Sequence, residues 1–278
     1  SWVLGMIKRK SGRELSNELF RVCSKERIPY RVLFELTYRC NFQCVHCYIP
    51  ASERAGFAYK ELSTRAVCNI LDQLQEIGCF VIGFTGGEIF VRKDIWEILH
   101  YAKSKGFNVI ILTNGYFIGE KEADLLSRLS PNKVDISLHA LDKRIFEKIT
   151  GVKDSFERVK HAIAFLRKSG VNVMIKSCGM VPNKNELLKV IDFANKMHIP
   201  HRIGADIMPG RGCRQDLSEY FLSPDDFIRM QHSDNMHVDD PSKRADPLGN
   251  RQVRCAAEIF YCGANVRIRK LLQEQEAL

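Results

Sequence analysis

The sequence predicts an α/β fold built from six successive βα units, and three observations support this prediction. Short apolar runs alternate with amphipathic helical patterns from residue 32 onward. Five of these runs are dense in β-branched or aromatic residues, which is typical of parallel strands covered on both faces. Unusual polar residues follow the runs, where the carboxyl ends of parallel strands meet. Such units form either an open doubly wound sheet or a full or partial barrel, and length alone does not choose between them.

The predicted strands are VLFEL (32–36), FVIGF (80–84), NVIIL (108–112), KVDISL (133–138), VNVMIK (171–176) and HRIGADI (201–207). The last of them contains Gly204 and is the weakest strand candidate. After residue 208 the alternation stops, and a polar stretch bearing Pro and Gly predicts an exposed loop.

Helix signals lie between the predicted strands. Ser63 is placed to cap a helix whose apolar residues recur at three- and four-residue intervals until Gly78. Asn183, with Glu186 three residues later, predicts a capping-box variant at the start of another helix. Similar helical patterns occupy residues 92–105, 120–129 and 155–168.

Composition narrows the class of protein. The chain has 278 residues, 45% of them apolar, and carries a net charge of +9. It has no apolar run long enough to span a membrane and no signal peptide, so we expect a cytoplasmic protein without membrane association. Its basic residues are spread along the chain without an RNA-binding aromatic signature, and we do not expect nucleic-acid binding.

The ten cysteines divide into scattered and clustered ones. A disulfide framework does not suit a reducing compartment, so scattered cysteines indicate packing and clustered ones indicate metal. We expect packing for the four that stand alone, which are Cys23, Cys68, Cys79 and Cys178.

Cys40, Cys44 and Cys47 form a C-x3-C-x2-C motif directly after the first predicted strand. Thiolates suit zinc or an iron-sulfur cluster. A structural zinc site requires four ligands, and His46 is poorly placed as the fourth because it adjoins Cys47. Three cysteines leave one iron of a [4Fe-4S] cubane without a protein ligand, and that iron is open to bind another molecule. Zinc is therefore the weaker interpretation.

The segment LTYRCNFQCVHCY (36–48) resembles the cluster motif of the radical S-adenosylmethionine (SAM) superfamily. The resemblance implies that SAM chelates the open iron and that His46 lies near its adenine. In that family, an electron from the cluster cleaves SAM to methionine and a 5'-deoxyadenosyl radical, which takes hydrogen from the substrate. The cofactor carries this chemistry and the protein positions it.

Further segments match the family in the same order, namely FTGGE (84–88), TNG (113–115) and ISLHALDKRIFEKITGVKDSF (136–156). The resemblance implies that the cofactor is contacted by Gly86, Gly87, Glu88, Asn114 and Ser137. Asn114 has an alternative role as a turn residue and Ser137 as a strand-end hydroxyl. His139 is either a pocket residue or a hydrogen-bonded structural residue, and we assign no catalytic side chain.

With this resemblance, the expected architecture is an α/β partial (β/α)6 TIM-like barrel with a small C-terminal appendage. We divide the chain into an N-terminal segment (1–30), the radical SAM barrel (31–210) and an extension (211–278) similar to a SPASM or twitch domain. Cys213, Cys255 and Cys262 are candidate ligands of an auxiliary iron-sulfur cluster. The later cysteine clusters of such extensions are absent from the sequence. These three residues are therefore either cluster ligands or ordinary thiols.

The resemblance implies an oxidoreductase or maturase that modifies a ribosomally made peptide or protein, through a thioether or carbon-carbon crosslink. It also implies a low-potential electron donor of the flavodoxin or ferredoxin type. Two alternatives stay open: an enzyme acting on a small cofactor or haem precursor, and a thiolate-metal protein with a structural or redox-sensing role.

Overall fold

The structure is a computed structural model that describes residues 28–51, 61–204 and 216–226, together with 18, 21–23, 25–26, 54 and 207. Its six parallel strands are β1 (Arg31–Thr37), β2 (Val81–Gly86), β3 (Asn108–Thr113), β4 (Lys133–Ser137), β5 (Val173–Cys178) and β6 (His201–Gly204). They pair in the order β1-β2-β3-β4-β5-β6. Within the described residues β1 and β6 do not pair, so the sheet is open, as the partial barrel requires.

The six predicted strands are confirmed, with ends that differ from the prediction by up to three residues. β5 begins at Val173 instead of Val171, because the Val171 amide still donates to the Leu166 carbonyl of the preceding helix at 3.0 Å. β6 ends at Gly204, and residues 205 and 206 of the predicted strand lie outside the described part of the chain.

Six α-helices cover the described sequence between these strands: α1 (Thr64–Glu76), α2 (Ile95–Ser104), α3 (Glu120–Leu129), α4 (Lys143–Thr150), α5 (Ser155–Lys168) and α6 (Leu187–Lys196). The prediction for α1 is confirmed at both ends. The Ser63 hydroxyl accepts a hydrogen bond from the Ala66 amide at 3.3 Å, and Gly78 follows the helix with φ +84°. α2, α3 and α5 also match the predicted helical segments.

The capping box predicted at Asn183 is wrong. α6 begins four residues later, and Asn183 closes a short 3-10 turn, Val181–Asn183. Its buried amide group donates to the carbonyls of His139 (2.7 Å) and Cys178 (2.8 Å). Asn183 therefore joins the ends of β4 and β5, because these tertiary partners satisfy the side chain better than a helix terminus would.

Glu186 likewise serves a neighbouring segment. Its Oε2 accepts hydrogen bonds from the amides of Leu141 (3.1 Å) and Asp142 (2.8 Å), and its Oε1 pairs with Lys189 at 2.6 Å. The carboxylate thus fixes the turn that leads from β4 into α4.

Helix α4 was not predicted from the sequence. The Asp142 side chain caps it by accepting from the Ile145 amide at 3.0 Å, and Gly151 ends it in the left-handed region at φ +69°. Phe146 and Ile149 bury its apolar face. This additional helix brings its last turn to the segment that bears the three cysteines.

The main core lies between the sheet and the helices. Strand residues such as Ile82, Ile111 and Ile136 pack there with helix residues such as Leu71 and Ile163. Cys79 belongs to this core, as predicted. Cys178 packs against a smaller cluster, and Cys23 and Cys68 are partly buried.

The opposite face of the sheet has its own apolar contact. A Cβ built on Gly83 would lie 2.5 Å from Leu33 Cδ2 and 3.6 Å from Leu112 Cδ1, so glycine allows these side chains to cover β2. We call this side, turned away from the helices, the inner face. No helix among the described residues is long and apolar enough to cross a membrane.

Replacing Asn183 with alanine should destabilise the chain, because two buried carbonyls and the Met180 amide lose their side-chain partner. We expect the free energy of unfolding to fall by about 2 to 4 kcal/mol. Urea denaturation of the anaerobically purified chain measures it. Asn185→Ala, at an exposed position two residues later, is the control. Equal midpoints for the two variants would contradict the role assigned to Asn183.

Candidate active site at the carboxyl edge of the sheet

The structure places the predicted site residues at one edge of four adjacent strands. The cysteine loop (38–48) follows β1, the GGE turn (86–88) ends β2, Asn114 follows β3, and Ser137 ends β4. Parallel strands bring their carboxyl ends to the same edge, which is where active sites of α/β proteins form. The prediction that these segments lie at the carboxyl ends of neighbouring strands is confirmed.

The cysteine loop is held by backbone hydrogen bonds to α4. The Gln43 amide donates to the Thr150 carbonyl at 2.8 Å, and the Val45 amide donates to the Ile149 carbonyl at 2.9 Å. Gly151 allows this approach, because a Cβ there would lie 3.0 Å from Gln43 Cβ and 3.1 Å from its carbonyl oxygen. The ITG segment at 149–151 thus supports the loop.

The GGE turn holds the other side of the loop. The Gly87 amide donates to the Thr37 carbonyl at 2.7 Å, and the Glu88 amide donates to the Arg39 carbonyl at 2.9 Å. A Cβ on Gly86 would lie 2.2 Å from the Thr37 oxygen, and one on Gly87 would lie 2.2 Å from the Arg39 oxygen. Close backbone approach therefore requires both glycines, and their contact with a cofactor stays a prediction.

Glu88 is buried, and both oxygens of its carboxylate have hydrogen-bond donors. They accept from the Thr113 hydroxyl (2.8 and 2.9 Å), the Asn114 amide (2.7 Å) and the Phe90 amide (3.1 Å). Burial raises the pKa of Glu88 to about 6, although these donors favour the charged form. In this arrangement Glu88 ties the end of β2 to the end of β3.

Asn114 joins the turn after β3 to the cysteine loop. Its Oδ1 accepts from the Tyr116 amide at 2.9 Å, which is the turn role considered from the sequence. Its Nδ2 donates to Asn41 Oδ1 at 2.9 Å and lies 3.9 Å from Cys40 Sγ. The proposed cofactor contacts of Asn114 and Ser137 stay predictions.

The three thiols lie together in a half-buried position. Burial raises the pKa of Cys40 to about 11, and it also raises the pKa of Cys44 and Cys47. The negative charge of neighbouring thiolates raises the pKa of Cys40 and Cys44 further. Thiolates at this position require a compensating positive centre, which a metal cluster provides. The described residues contain no set of three His, Cys, Asp or Glu side chains arranged around a single ion. Cubane ligands bind different irons and need not converge on one.

Two buried polar atoms beside the cysteines have no hydrogen-bond partner among the described residues: His46 Nδ1 and Asn41 Nδ2. The thiols are available as ligands of a cluster, and these two nitrogen atoms are available for hydrogen bonds to a bound cofactor. The residues present therefore fit the iron-sulfur cluster that the motif implies.

His46 packs edge-to-face against His139, with ring centroids 4.8 Å apart. Burial lowers the pKa of His46 to about 4 and lowers the pKa of His139 as well, so both imidazoles are neutral near pH 7. His139 Nδ1 accepts from the Cys178 amide at 3.2 Å. The hydrogen-bonded structural role considered for His139 is confirmed, and its ring supports His46.

Sequence reasoning missed two side-chain pairs around the loop. The Arg39 guanidinium binds the Glu61 carboxylate through Nε and Nη2, each at 2.8 Å. The Tyr48 hydroxyl donates to the Glu35 carboxylate on β1. The partners are 22 residues apart in the first pair and 13 in the second, so no local sequence pattern indicates them.

A family model described as the radical SAM superfamily matches residues 34–194. This chain belongs to the radical SAM superfamily. That family uses a [4Fe-4S] cluster and SAM. The match begins at Phe34 within β1, includes the cysteine loop and ends at Ala194, near the end of α6.

The radical SAM domain is similar to curated proteins of two kinds. It is 30% identical over 213 residues to the Fe-coproporphyrin III synthase of Methanosarcina barkeri (strain Fusaro / DSM 804), covering 75% of this chain and 52% of that protein. It is 29% identical over 202 residues to the antilisterial bacteriocin subtilosin biosynthesis protein AlbA of Bacillus subtilis (strain 168), covering 70% of this chain and 44% of that protein. The chain thus spans about half the length of these relatives.

The fold is also that of Streptococcus suis SuiB, in a crystal structure with its precursor peptide SuiA. The TM-score is 0.59 at 17% identity, covering 72% of this chain and 46% of that one. At this identity the likeness concerns the fold, and it agrees with the open six-stranded radical SAM sheet. The candidate auxiliary ligands Cys213, Cys255 and Cys262 lie outside the described residues.

Gly151→Ala should loosen the cysteine loop, because it adds backbone strain at φ +69° and a contact with Gln43. We expect about 1 to 3 kcal/mol lower stability and reduced iron content after anaerobic reconstitution. Gly170→Ala is the matched control, since its φ is +75° but no atom lies within 4 Å of the added Cβ. It should share the loss of stability and retain full iron. Equal iron content in both variants would contradict the support role of Gly151.

The pH dependence of stability should report the buried Glu88 carboxyl. Its pKa is about 6 in the folded chain against an ordinary value of 4.5, so the native state binds more protons between these values. Stability therefore falls as pH rises through this window, by about 2 kcal/mol. Urea denaturation of the cluster-free chain at pH 4 to 7 measures this effect. As pH rises, the free energy of unfolding of Glu88→Gln should increase relative to that of the wild type by about this amount. Glu97→Gln, at an exposed position, is the control. Parallel profiles for wild type and Glu88→Gln would refute this role of Glu88.

Proposed function

We propose that this chain reductively cleaves SAM at a [4Fe-4S] cluster bound by Cys40, Cys44 and Cys47, and abstracts hydrogen from a substrate. The observation that carries the proposal is the cysteine loop itself, fixed by backbone hydrogen bonds at the carboxyl edge of a radical SAM sheet. When bound, the cluster supplies the electron that cleaves SAM to methionine and a 5'-deoxyadenosyl radical.

The residues of this chain position these groups. The GGE turn and α4 hold the loop that bears the three thiols. His46, neutral and supported by His139, offers an aromatic ring and the free Nδ1 beside Cys47, where an adenine would bind. Gly86, Gly87, Asn114 and Ser137 border the same edge and are proposed to contact SAM, with Glu88 keeping the ends of β2 and β3 in register.

We propose a ribosomally made peptide or protein as the substrate, modified through a thioether or carbon-carbon crosslink. The support comes from relatives: AlbA takes part in the biosynthesis of the bacteriocin subtilosin, and SuiB binds the precursor peptide SuiA. The open sheet leaves one side uncovered by strands in the described residues, which suits an extended chain as substrate.

A second candidate is an enzyme acting on a small haem precursor. It is favoured by the similarity to Fe-coproporphyrin III synthase, which is 30% identical over 213 residues. Incubation with a cysteine-bearing precursor peptide or with an iron porphyrin would separate the two, since the product gains a crosslink in one case and loses substituents or changes oxidation state in the other.

We further propose a low-potential flavodoxin or ferredoxin as electron donor and a cytoplasmic location. Residues 211–278 are proposed as a SPASM-like or twitch-like extension in which Cys213, Cys255 and Cys262 are candidate ligands of an auxiliary cluster.

The test is anaerobic reconstitution with iron and sulfide, followed by dithionite and SAM, with 5'-deoxyadenosine measured by mass spectrometry. The wild type should form it, and the Cys40, Cys44, Cys47 triple alanine variant should fall to background because the cluster has no ligands. The Cys23→Ala, Cys68→Ala double variant is the control, since neither cysteine belongs to the loop. A wild type with an intact four-iron cluster that makes no 5'-deoxyadenosine, even with the candidate peptide and porphyrin substrates present, would refute the radical mechanism.

A further inference from the structure

A charged cluster lies on the inner face of the sheet, away from the cysteines. Asp135 on β4 alternates with Val134 and Ile136, which pack against the helices, so its side chain projects from the opposite face. Lys176 on β5 alternates with the buried Ile175 in the same way. Asp135 is the register partner of Leu112, which covers Gly83 on the inner face.

Asp135 is shared by two lysines. Its side chain is only 1% exposed, its Oδ1 pairs with Lys133 Nζ at 3.1 Å, and its Oδ2 pairs with Lys176 Nζ at 2.6 Å. Neither oxygen has a further hydrogen-bond partner among the described residues. Arg202 on β6 is the register partner of Lys176. One carboxylate thus pairs with two lysines, and these three side chains together carry a net charge of +1.

Lys176 combines burial with access to the inner face. Burial lowers its pKa, the Asp135 charge raises it, and the charges of Lys133 and Arg202 lower it further. The Lys176 side chain keeps 31% of its surface exposed. The Lys176 ammonium has three N–H donors, and Asp135 Oδ2 accepts from only one of them. A second anion at Lys176 would satisfy the remaining donors and offset the repulsion from the neighbouring cations.

The position of this cluster connects it to the active site. Lys176 is the register partner of Ser137, which ends β4 at the edge where the cysteine loop lies. A molecule bound on the inner face at Lys176 would therefore lie next to that edge. Glu35 and Tyr48, which pair with each other on the β1 side, add no cation there.

We infer that Lys176, held by Asp135, binds a carboxylate group of the substrate on the inner face. This inference rests on the proposed function, because it assumes a substrate that reaches the carboxyl edge. The carboxylate belongs either to an acidic or C-terminal residue of a peptide or to a side chain of a small molecule. An ammonium with donors left over from Asp135 suits this group, because charge-assisted hydrogen bonds to a carboxylate are the stronger ones.

The test uses glutarate as the carboxylate probe and isothermal titration of the full reconstituted chain in the presence of SAM. Lys176→Gln should weaken glutarate binding by at least about tenfold, the effect expected for one charge-assisted hydrogen bond. Lys189→Gln, on the exposed surface of α6, should bind as the wild type does. Lys176→Gln leaves Asp135 without its closer partner, so the Asp135→Asn, Lys176→Gln double variant, which avoids a stranded charge, should also lack glutarate binding.

Two further titrations decide between the anion sources. If Lys176→Gln weakens SAM binding instead of glutarate binding, the cation serves the methionine carboxylate and the inference is overturned. Phosphate bound more tightly than glutarate would overturn the carboxylate assignment. Formation of 5'-deoxyadenosine by the wild type is measured in parallel. A wild type that forms it but does not bind glutarate overturns this inference alone. A wild type that binds glutarate through Lys176 but forms no 5'-deoxyadenosine refutes the proposed function, and with it the assignment of this anion site to the substrate.

Discussion

The backbone hydrogen bonds of the cysteine loop are the constraint on which the rest of the site depends. The loop donates to α4 through Gln43 and Val45, and the GGE turn donates to the carbonyls of Thr37 and Arg39, where the loop leaves β1. A loop held from both sides keeps three thiols in place before any metal is bound, and metal sites depend on such preorganisation. Glycine at the contact points is a steric consequence, because a Cβ at Gly87 would lie 2.2 Å from a carbonyl oxygen.

Two buried carboxylates organise the two sides of the sheet in different ways. Glu88 is satisfied by neutral donors, and it links the ends of β2 and β3 beside the cysteine loop. Asp135 is satisfied by cations, and it holds Lys176 on the inner face. A buried carboxylate is costly unless its oxygens are paired, so each one fixes the position of its partners. The first arrangement supports the cofactor edge, and the second provides charge where a substrate would lie.

The helix signals show where local pattern suffices and where it fails. Ser63 caps α1 as predicted, because its hydroxyl has no stronger partner than the first turn of its own helix. Asn183 carries the same kind of signal, yet its side chain binds the carbonyls of His139 and Cys178. Helix α4 was missed because it is only eight residues long and lies within a segment interpreted as a family motif. Short helices depend on tertiary packing, here of Phe146 and Ile149, more than on their own propensity.

The sequence by itself determined the six βα units, the location of Cys40, Cys44 and Cys47 after β1, and the family to which these motifs belong. These features are local, since apolar periodicity and ligand spacing are written in neighbouring residues. Only the tertiary structure decided the openness of the sheet, the pairing of Glu88 with Thr113, and the Lys133, Asp135 and Lys176 cluster. Each of these depends on strand register and on which face a side chain occupies, and both follow from packing between segments that lie far apart in the chain.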